Sequence, residues 1–156
     1  MESSIHITEI MTRDVMSVHP ETLLMDAAQH IIKNDFDGVP VVNAEGALVG
    51  ILTQYDLISK AFALHLPTIQ FLIQNLAIYK NDGTQFQKEL EGISSLTVKD
   101  LMNADPLFFN EDTNLEEAVQ TFKDHHRVNP IPVVDAEHHV VGVVSRYDII
   151  KIFSNL

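Results

Sequence analysis

The sequence contains no cysteine, few basic residues and no long apolar run, and each lack narrows what the protein can be. Without cysteine there is no disulfide scaffold, no thiolate zinc site and no cysteine nucleophile. The 22 Asp and Glu outnumber the 10 Lys and Arg and give a formal net charge of −12, which argues against a nucleic-acid or anionic-membrane surface. The most apolar stretch, residues 68–79, is too short and too polar to span a bilayer.

The length and the start of the chain agree with a small globular protein. A chain of 156 residues, 46% of them hydrophobic, corresponds to one ordinary domain or two small ones. Residues 1–6 have neither a basic nor an apolar character, so we expect no signal peptide. We therefore expect a cytoplasmic protein with neither a nucleic-acid nor a membrane partner.

An internal repeat organises the chain. Four blocks recur in the same order, with one inserted residue near Arg127, and chance does not produce that arrangement. The paired blocks are ITEIM (7–11) with VKDLM (98–102), residues 22–29 with 113–120, VPVVNAE (39–45) with IPVVDAE (131–137), and GILTQYDLI (50–58) with GVVSRYDII (142–150).

Each copy predicts the same β-α-β-β-α unit, which places the chain in the α/β (α+β) class. A half of this size is marginal alone, so the two copies are expected to pack together as one pseudo-symmetric module. The predicted elements are a helix N-capped by Thr22 or Thr113, a strand over Val39–Val42 or Ile131–Val134, a second strand over Leu48–Leu52 or Val140–Val144, and a final helix from Gln54 or Arg146, N-capped by Thr53 or Ser145.

The middle segment, residues 60–95, predicts a helical connector. Its apolar positions form one stripe at helical spacing, Ile69, Leu72, Ile73 and Leu76, with Phe71 and Ile78 in a second stripe beside it. Such a wide apolar arc suggests a second burial partner, and we expect a homodimer. The alternative is that both stripes pack inside one chain.

The repeated motifs resemble those of CBS domains, named for the regulatory half of cystathionine β-synthase. The resemblance rests on the Val39–Asn43 and Ile131–Asp135 strands and on the endings Gly50–Asp56 and Gly142–Asp148, which match Gly-hydrophobic-x-hydrophobic-Thr/Ser-x-x-Asp. It covers residues 5–59 as domain 1 and residues 96–154 as domain 2.

This resemblance implies a tandem pair with two clefts that bind adenosine-containing ligands such as AMP, ADP, ATP or S-adenosylmethionine. The Asp of each ending would hold the ribose hydroxyls, and the Thr or Ser hydroxyl would face ribose or phosphate. The first cleft would take Asp37, Gly38, Val39, Pro40, Ile51, Thr53, Asp56, Pro106 and Leu107. The second would take Arg13, Val15, Met16, Asn129, Pro130, Ile131, Pro132, Val143, Ser145, Arg146 and Asp148.

The charge pattern favours the second cleft. Arg13, Arg127 and Arg146 are expected to converge there on phosphate, because a guanidinium binds two oxygens at once. The first cleft has Phe36 and Gln54 at the matching positions of Arg127 and Arg146, and Asp37 would add repulsion. Two alternatives stay open: the arginines are solvated surface residues, and Asp56 and Asp148 only stabilise helix starts.

The sequence therefore predicts a non-catalytic regulatory module that senses an adenosine ligand and needs no cofactor. A ligand-free module that docks on an enzyme or transporter is the alternative. No nucleophile elbow, Walker loop or His-Glu-x-x-His motif is present to support catalysis. The adjacent pairs His125-His126 and His138-His139 point in different directions, so no metal site is expected.

Overall fold

The computed structural model describes residues 5–63 and 94–155. The two apolar stripes, and most of the connector predicted over residues 60–95, lie outside the described residues. The first repeat contains α1 (Leu24–Asn34), β1 (Gly38–Val42), β2 (Leu48–Thr53) and α2 (Gln54–Ala63). The second contains α3 (Val98–Leu101), β3 (Phe109–Asn110), α4 (Leu115–Asp124), β4 (Ile131–Val134), β5 (Val140–Val144) and α5 (Arg146–Lys151). Short 3₁₀ turns cover Ile7–Glu9 and Ile152–Asn155.

The strands form one antiparallel hairpin in each repeat. Strand β1 pairs with β2, and β4 pairs with β5, so that Ile131 lies opposite Val144. In the second repeat β3 adds a parallel strand beside β4. Its counterpart in the first repeat is a single bridge between Val18 and Val41. The predicted β-α-β-β-α order and the α/β class are confirmed, with the first strand of the first repeat reduced to that bridge.

The two threonines predicted as helix N-caps do not cap helices, and this prediction is wrong. Helix α1 begins after Leu23, and α4 is capped by Asn114. Thr22 Oγ1 instead accepts a hydrogen bond from the His19 amide at 3.1 Å. Thr113 Oγ1 accepts one from the Asn110 amide at 3.2 Å. Each threonine closes the turn before its helix, because a short hydroxyl side chain can bond to backbone on either side of it.

Each repeat completes its core with a segment of the other repeat. Val98 and Leu101 are fully buried in the cluster formed by α1, β1 and β2. Ile7 and Met11 pack in the same way among residues of β4, β5 and α4. Burial of apolar side chains is the main stabilising contribution to folding, so these segments hold the two repeats together.

Backbone pairing fixes the position of both inserted segments. Thr12 and Val143 exchange two backbone hydrogen bonds, and Ile51 and Asn103 do the same at the matching place. A side chain at Gly50 would place its Cβ 2.8 Å from the Met102 sulfur. Glycine is therefore required at this crossing, because only the absence of Cβ permits so close an approach. None of the helices within residues 5–63 and 94–155 is both long and apolar enough to cross a membrane.

Candidate functional site

Each repeat ends its hairpin in the same capping arrangement, which positions one carboxylate. Asp148 Oδ2 accepts hydrogen bonds from the Ser145 amide and from Ser145 Oγ, both at 2.7 Å. Asp56 Oδ2 accepts from the Thr53 amide at 3.0 Å and from Thr53 Oγ1 at 2.7 Å. The hydroxyls in turn accept from the Asp148 and Asp56 amides, so the predicted N-cap roles of Ser145 and Thr53 are confirmed. Only one oxygen of each carboxylate is used in the cap.

The second carboxylate oxygen distinguishes the two repeats. Asp56 Oδ1 lies 3.2 Å from the Lys60 ammonium group. Lys60 also donates to the carbonyl oxygens of Leu101 at 2.6 Å and Met102 at 3.2 Å, which belong to the segment inserted from the other repeat. The position that matches Lys60 in the second repeat is Ile152. An isoleucine cannot pair with a carboxylate, and Asp148 Oδ1 has no hydrogen-bond or ion-pair partner among the described residues.

A cavity of about 540 Å³ opens beside Asp148. Its volume falls in the range of small-molecule sites. Its walls come from the segment that precedes α1, from the α1–β1 loop with β1, and from the end of β5 with the start of α5. The lining residues are Thr12, Asp14, Val15, Met16, Asn34, Asp35, Phe36, Asp37, Gly38, Pro40, Pro130, Val143, Ser145, Tyr147 and Asp148.

The cavity combines residues predicted for both clefts. From the set assigned to the second cleft it contains Val15, Met16, Pro130, Val143, Ser145 and Asp148. From the set assigned to the first cleft it contains Asp37, Gly38 and Pro40. The entry strand of the first repeat thus faces the ending of the second. The strand also lies beside Thr53, since Gly38 pairs with Thr53 in the β1–β2 hairpin, but Asp37 lines the cavity beside Asp148.

The other predicted site residues do not line this cavity. Val39, Ile51 and Ile131 are core residues, and Pro132 is buried in β4. Asn129 Oδ1 accepts a hydrogen bond from the Arg146 amide at 2.9 Å. Thr53 and Asp56 lie at the Lys60 ion pair, and Pro106 and Leu107 follow the inserted segment.

The expected convergence of three arginines on this cavity is wrong for the described structure. The Arg146 guanidinium donates to the carbonyl oxygens of Phe122 and His125, at the C-terminal end of α4, and lies 5.2 Å from the centre of the Phe122 ring. Arg13 donates to the Thr8 carbonyl oxygen at 2.9 Å. Arg127 lies 3.4 Å from the Tyr55 hydroxyl. Carbonyl groups at a helix end attract cations, which explains the position taken by Arg146.

Sequence reasoning missed several of the lining residues and the role of Lys60. The missed lining residues are Thr12, Asp14, Asn34, Asp35, Phe36 and Tyr147. Five of these six are within two residues of a predicted site residue, so a wider window around each motif would have included them. Lys60 could have been found from its spacing of four residues after Asp56, on one helix face.

A separate polar cluster lies at the turn between β4 and β5. Ligand atoms of Asp135, Glu137 and His139 lie within 4.8 Å of one another. Asp135 Oδ1 accepts hydrogen bonds from the amides of His139 at 2.8 Å and Glu137 at 3.0 Å. These bonds, that from His139 above all, lower the pKa of Asp135. Asn43 makes the same two bonds in the first repeat, so the turn geometry accounts for the grouping.

Comparison with known proteins gives consistent matches over most of the chain. The family model described as "CBS domain" matches residues 7–62 and 98–155. The CBS domain-containing protein CBSX1, chloroplastic, of Arabidopsis thaliana is 30% identical over 152 residues, which cover 93% of this chain and 62% of that protein. The chain therefore spans less than two thirds of the length of this relative.

Two solved structures share the fold. The crystal structure of CBSX2 in complex with AMP has a TM-score of 0.72 and 24% identity, and the match covers 97% of each chain. The CBS domain pair of protein MJ0100 in complex with 5′-methylthioadenosine and S-adenosylmethionine has a TM-score of 0.71 and 23% identity, with 97% of this chain and 98% of that one covered.

Proposed function

This chain belongs to the CBS domain family, and we propose that it is a non-catalytic regulatory module that binds one adenosine-containing ligand in the cavity beside Asp148. The observation that carries the proposal is Asp148 on the wall of a cavity of about 540 Å³, with an Oδ1 that has no hydrogen-bond partner among the described residues. Similar folds carry AMP, or S-adenosylmethionine and 5′-methylthioadenosine, in their solved structures.

The chemistry of the cavity suits an adenosine. A carboxylate oxygen can accept hydrogen bonds from the vicinal hydroxyls of a ribose, as acidic residues do in dinucleotide sites. Ser145 holds Asp148 in position for that contact. The rings of Phe36 and Tyr147 and the side chain of Met16 provide apolar and aromatic surface for an adenine base.

The matching carboxylate of the first repeat is already paired, which supports a single site. Asp56 is 7% exposed, and its Oδ1 is held by Lys60. Binding of a ribose there would require Lys60 to leave both the carboxylate and the carbonyl oxygens of Leu101 and Met102. Loss of Lys60 would leave the buried Asp56 carboxylate without its counterion, which is unfavourable.

Ligand binding would be coupled to the packing of the two repeats. Thr12, Val15 and Met16 line the cavity, and the adjoining Met11 packs in the core of the second repeat. The backbones of Thr12 and Val143 are hydrogen-bonded to each other, and Val143 lines the same cavity. A ligand shifts a conformational equilibrium only if it binds one arrangement better than another, and a site shared by both repeats meets that condition.

The proposed module is a cytoplasmic homodimer that acts on a target protein. Support for the dimer comes from the two apolar stripes in the sequence of residues 69–78 and from exposed apolar side chains on the described helices, including Ile58, Ile150 and Phe153. A second copy of the chain would cover such side chains, and two-fold dimers are the commonest closed assemblies.

Thermal denaturation with adenosine, AMP, ADP, ATP, S-adenosylmethionine and 5′-methylthioadenosine tests the proposal. A ligand of the native state at 100 times its Kd stabilises it by about 2.7 kcal/mol. For a chain of this size we expect the Tm to rise by roughly 5–10 °C. Asp148→Asn should remove most of the shift, because its amide group cannot accept both ribose hydroxyls. Asp56→Asn is the matched control, since Asp56 occupies the same cap, and it should retain the shift.

Two results would contradict the proposal. If no compound changes the Tm, the ligand-free docking module becomes the better explanation. If Asp148→Asn and Asp56→Asn lose the shift equally, the ligand does not select the cavity beside Asp148.

A further inference from the structure

The cavity beside Asp148 is bordered by negative charge. Four carboxylates line it, those of Asp14, Asp35, Asp37 and Asp148, and no Lys, Arg or His is among the lining residues in the described part of the chain. The side-chain oxygens of Asp14, Asp35 and Asp37 accept no hydrogen bond from another described residue and are exposed at the rim. None of the three takes part in an ion pair with another described residue.

The three arginines expected near the cavity have other partners. Arg146 caps the C-terminal end of α4, Arg13 bonds to the Thr8 carbonyl oxygen, and Arg127 lies beside Tyr55. Gly38 and Pro130, which precede the hydrophobic-Pro pair of each entry strand, offer no basic side chain. A phosphate group in the cavity would thus meet like charge without a counterion from the lining.

Building on the proposed function, we infer that the cavity selects a positively charged adenosyl compound of the sulfonium type over adenine nucleotides. A sulfonium or ammonium group near the rim is attracted by Asp14, Asp35 and Asp37, whereas a polyphosphate is repelled by the same side chains. Recognition of the adenosine moiety by Asp148 and the aromatic side chains is common to both ligand classes. The rim carboxylates therefore determine which adenosyl compound binds.

Titration calorimetry on the full chain without divalent ions tests this inference with four probes. S-adenosylmethionine and 5′-methylthioadenosine share the adenosine and the methylated sulfur, and S-adenosylmethionine adds the sulfonium charge together with an aminocarboxypropyl group of zero net charge. AMP and ATP supply increasing negative charge. We expect affinity to decrease in the order S-adenosylmethionine, 5′-methylthioadenosine, AMP, ATP. Added salt should lower the affinity for S-adenosylmethionine and raise the affinity for ATP, because salt screens attraction and repulsion alike.

A variant with both Asp14→Asn and Asp37→Asn tests whether these two carboxylates set the selectivity. Each substitution removes one rim charge, so the ratio of S-adenosylmethionine to ATP affinity should fall by roughly three- to tenfold per substitution at low salt. Glu45→Gln with Glu116→Gln is the control, because it changes the net charge equally at exposed residues outside the cavity lining and should leave the ratio unchanged.

The outcomes separate this inference from the proposed function. If ATP binds as tightly as S-adenosylmethionine or more tightly, the selectivity is overturned and adenosine sensing stands; loss of ATP binding in Arg13→Gln would then show that Arg13 turns into the cavity. If the control variant changes the ratio as much as the rim variant, the overall charge rather than the rim is responsible, and the inference fails. If none of the four probes binds, the proposed function itself fails.

Discussion

Lys60 neutralises the carboxylate of Asp56 from one helical turn away, at 3.2 Å, and bonds at the same time to the segment inserted from the other repeat. The corresponding pair in the second repeat is Asp148 and Ile152. The two repeats therefore differ in whether the second oxygen of this carboxylate has a partner among the described residues. The difference comes from one side chain, so it can be reversed by substitution.

Lys60→Met should make the first cleft available for binding. The variant keeps an unbranched chain of similar length but removes the ammonium group from Asp56 and from the carbonyl oxygens of Leu101 and Met102. We expect the free energy of unfolding in urea to fall by about 1–2 kcal/mol, an amount limited by the 41% exposure of the Lys60 side chain. Calorimetry should show the stoichiometry rising from one ligand to two. Lys123→Met on α4 is the control, and an unchanged stoichiometry would show that another group closes this cleft.

Ile152→Lys should have the reverse effect on the second cleft. A lysine four residues after Asp148 can reach Oδ1 as Lys60 reaches Asp56. We expect the affinity for an adenosine ligand to fall at least about tenfold, which corresponds to 1.4 kcal/mol. Ile152→Met is the control for lost packing and should bind normally. Equal affinity in the lysine variant and the native chain would contradict the role assigned to Asp148 Oδ1.

Asp135→Asn should lower the Tm slightly near neutral pH, because the amide lacks the stabilising charge, and Asp135→Ala should lower the Tm further. The asparagine oxygen can accept the same two amide bonds as Asn43 does in the first repeat, and alanine cannot. The pKa of Asp135 is lowered by its bond from the His139 amide, so its charge contributes to stability above the ordinary pKa and that contribution is lost as the pH falls through the lowered value. Thermal denaturation below about pH 4 should therefore show a smaller acid dependence in Asp135→Asn than in the native chain.

The chain should be a dimer in solution. Burial of a side chain such as Phe71 or Ile78 is worth about 1.5–3 kcal/mol, so leaving both in water is unfavourable. Phe71→Glu with Ile78→Glu should weaken the dimer with the circular dichroism of the native fold retained. Ile32→Glu, on the exposed face of α1, is the control. Light scattering that finds the native chain monomeric at micromolar concentration would place both stripes in the intramolecular core.

The sequence was most informative where local chemistry decides the structure. Strands β4 and β5 were predicted to the residue, because β-branched runs ended by a turn leave little choice. The two threonine caps were wrong because the same hydroxyl can close the preceding turn, and a pattern of residue types does not distinguish these bonds.

The site was predicted less well than the fold because its walls are brought together by tertiary packing. Asp37 is close in sequence to the ending of its own repeat, yet it lines the cavity with Ser145 and Asp148 of the other. Arg146 is long enough to reach the end of α4, which the sequence does not place nearby. The second cleft was preferred because of three arginines, which the structure does not bring to the cavity; our proposal for the same cleft rests instead on Asp148 Oδ1, which has no partner among the described residues.

The reciprocal insertion of Ile7 and Met11 into one core, and of Val98 and Leu101 into the other, has a consequence for a repeat taken alone. A single copy would have a core that lacks one wall and a segment with no core to enter. It would therefore associate with a second copy, and the associated fraction would fall on dilution. Joining both copies in one chain replaces the bulk concentration of the partner with a fixed effective concentration in the millimolar range or above. The cavity between the repeats is then present in every folded molecule, however scarce the protein is.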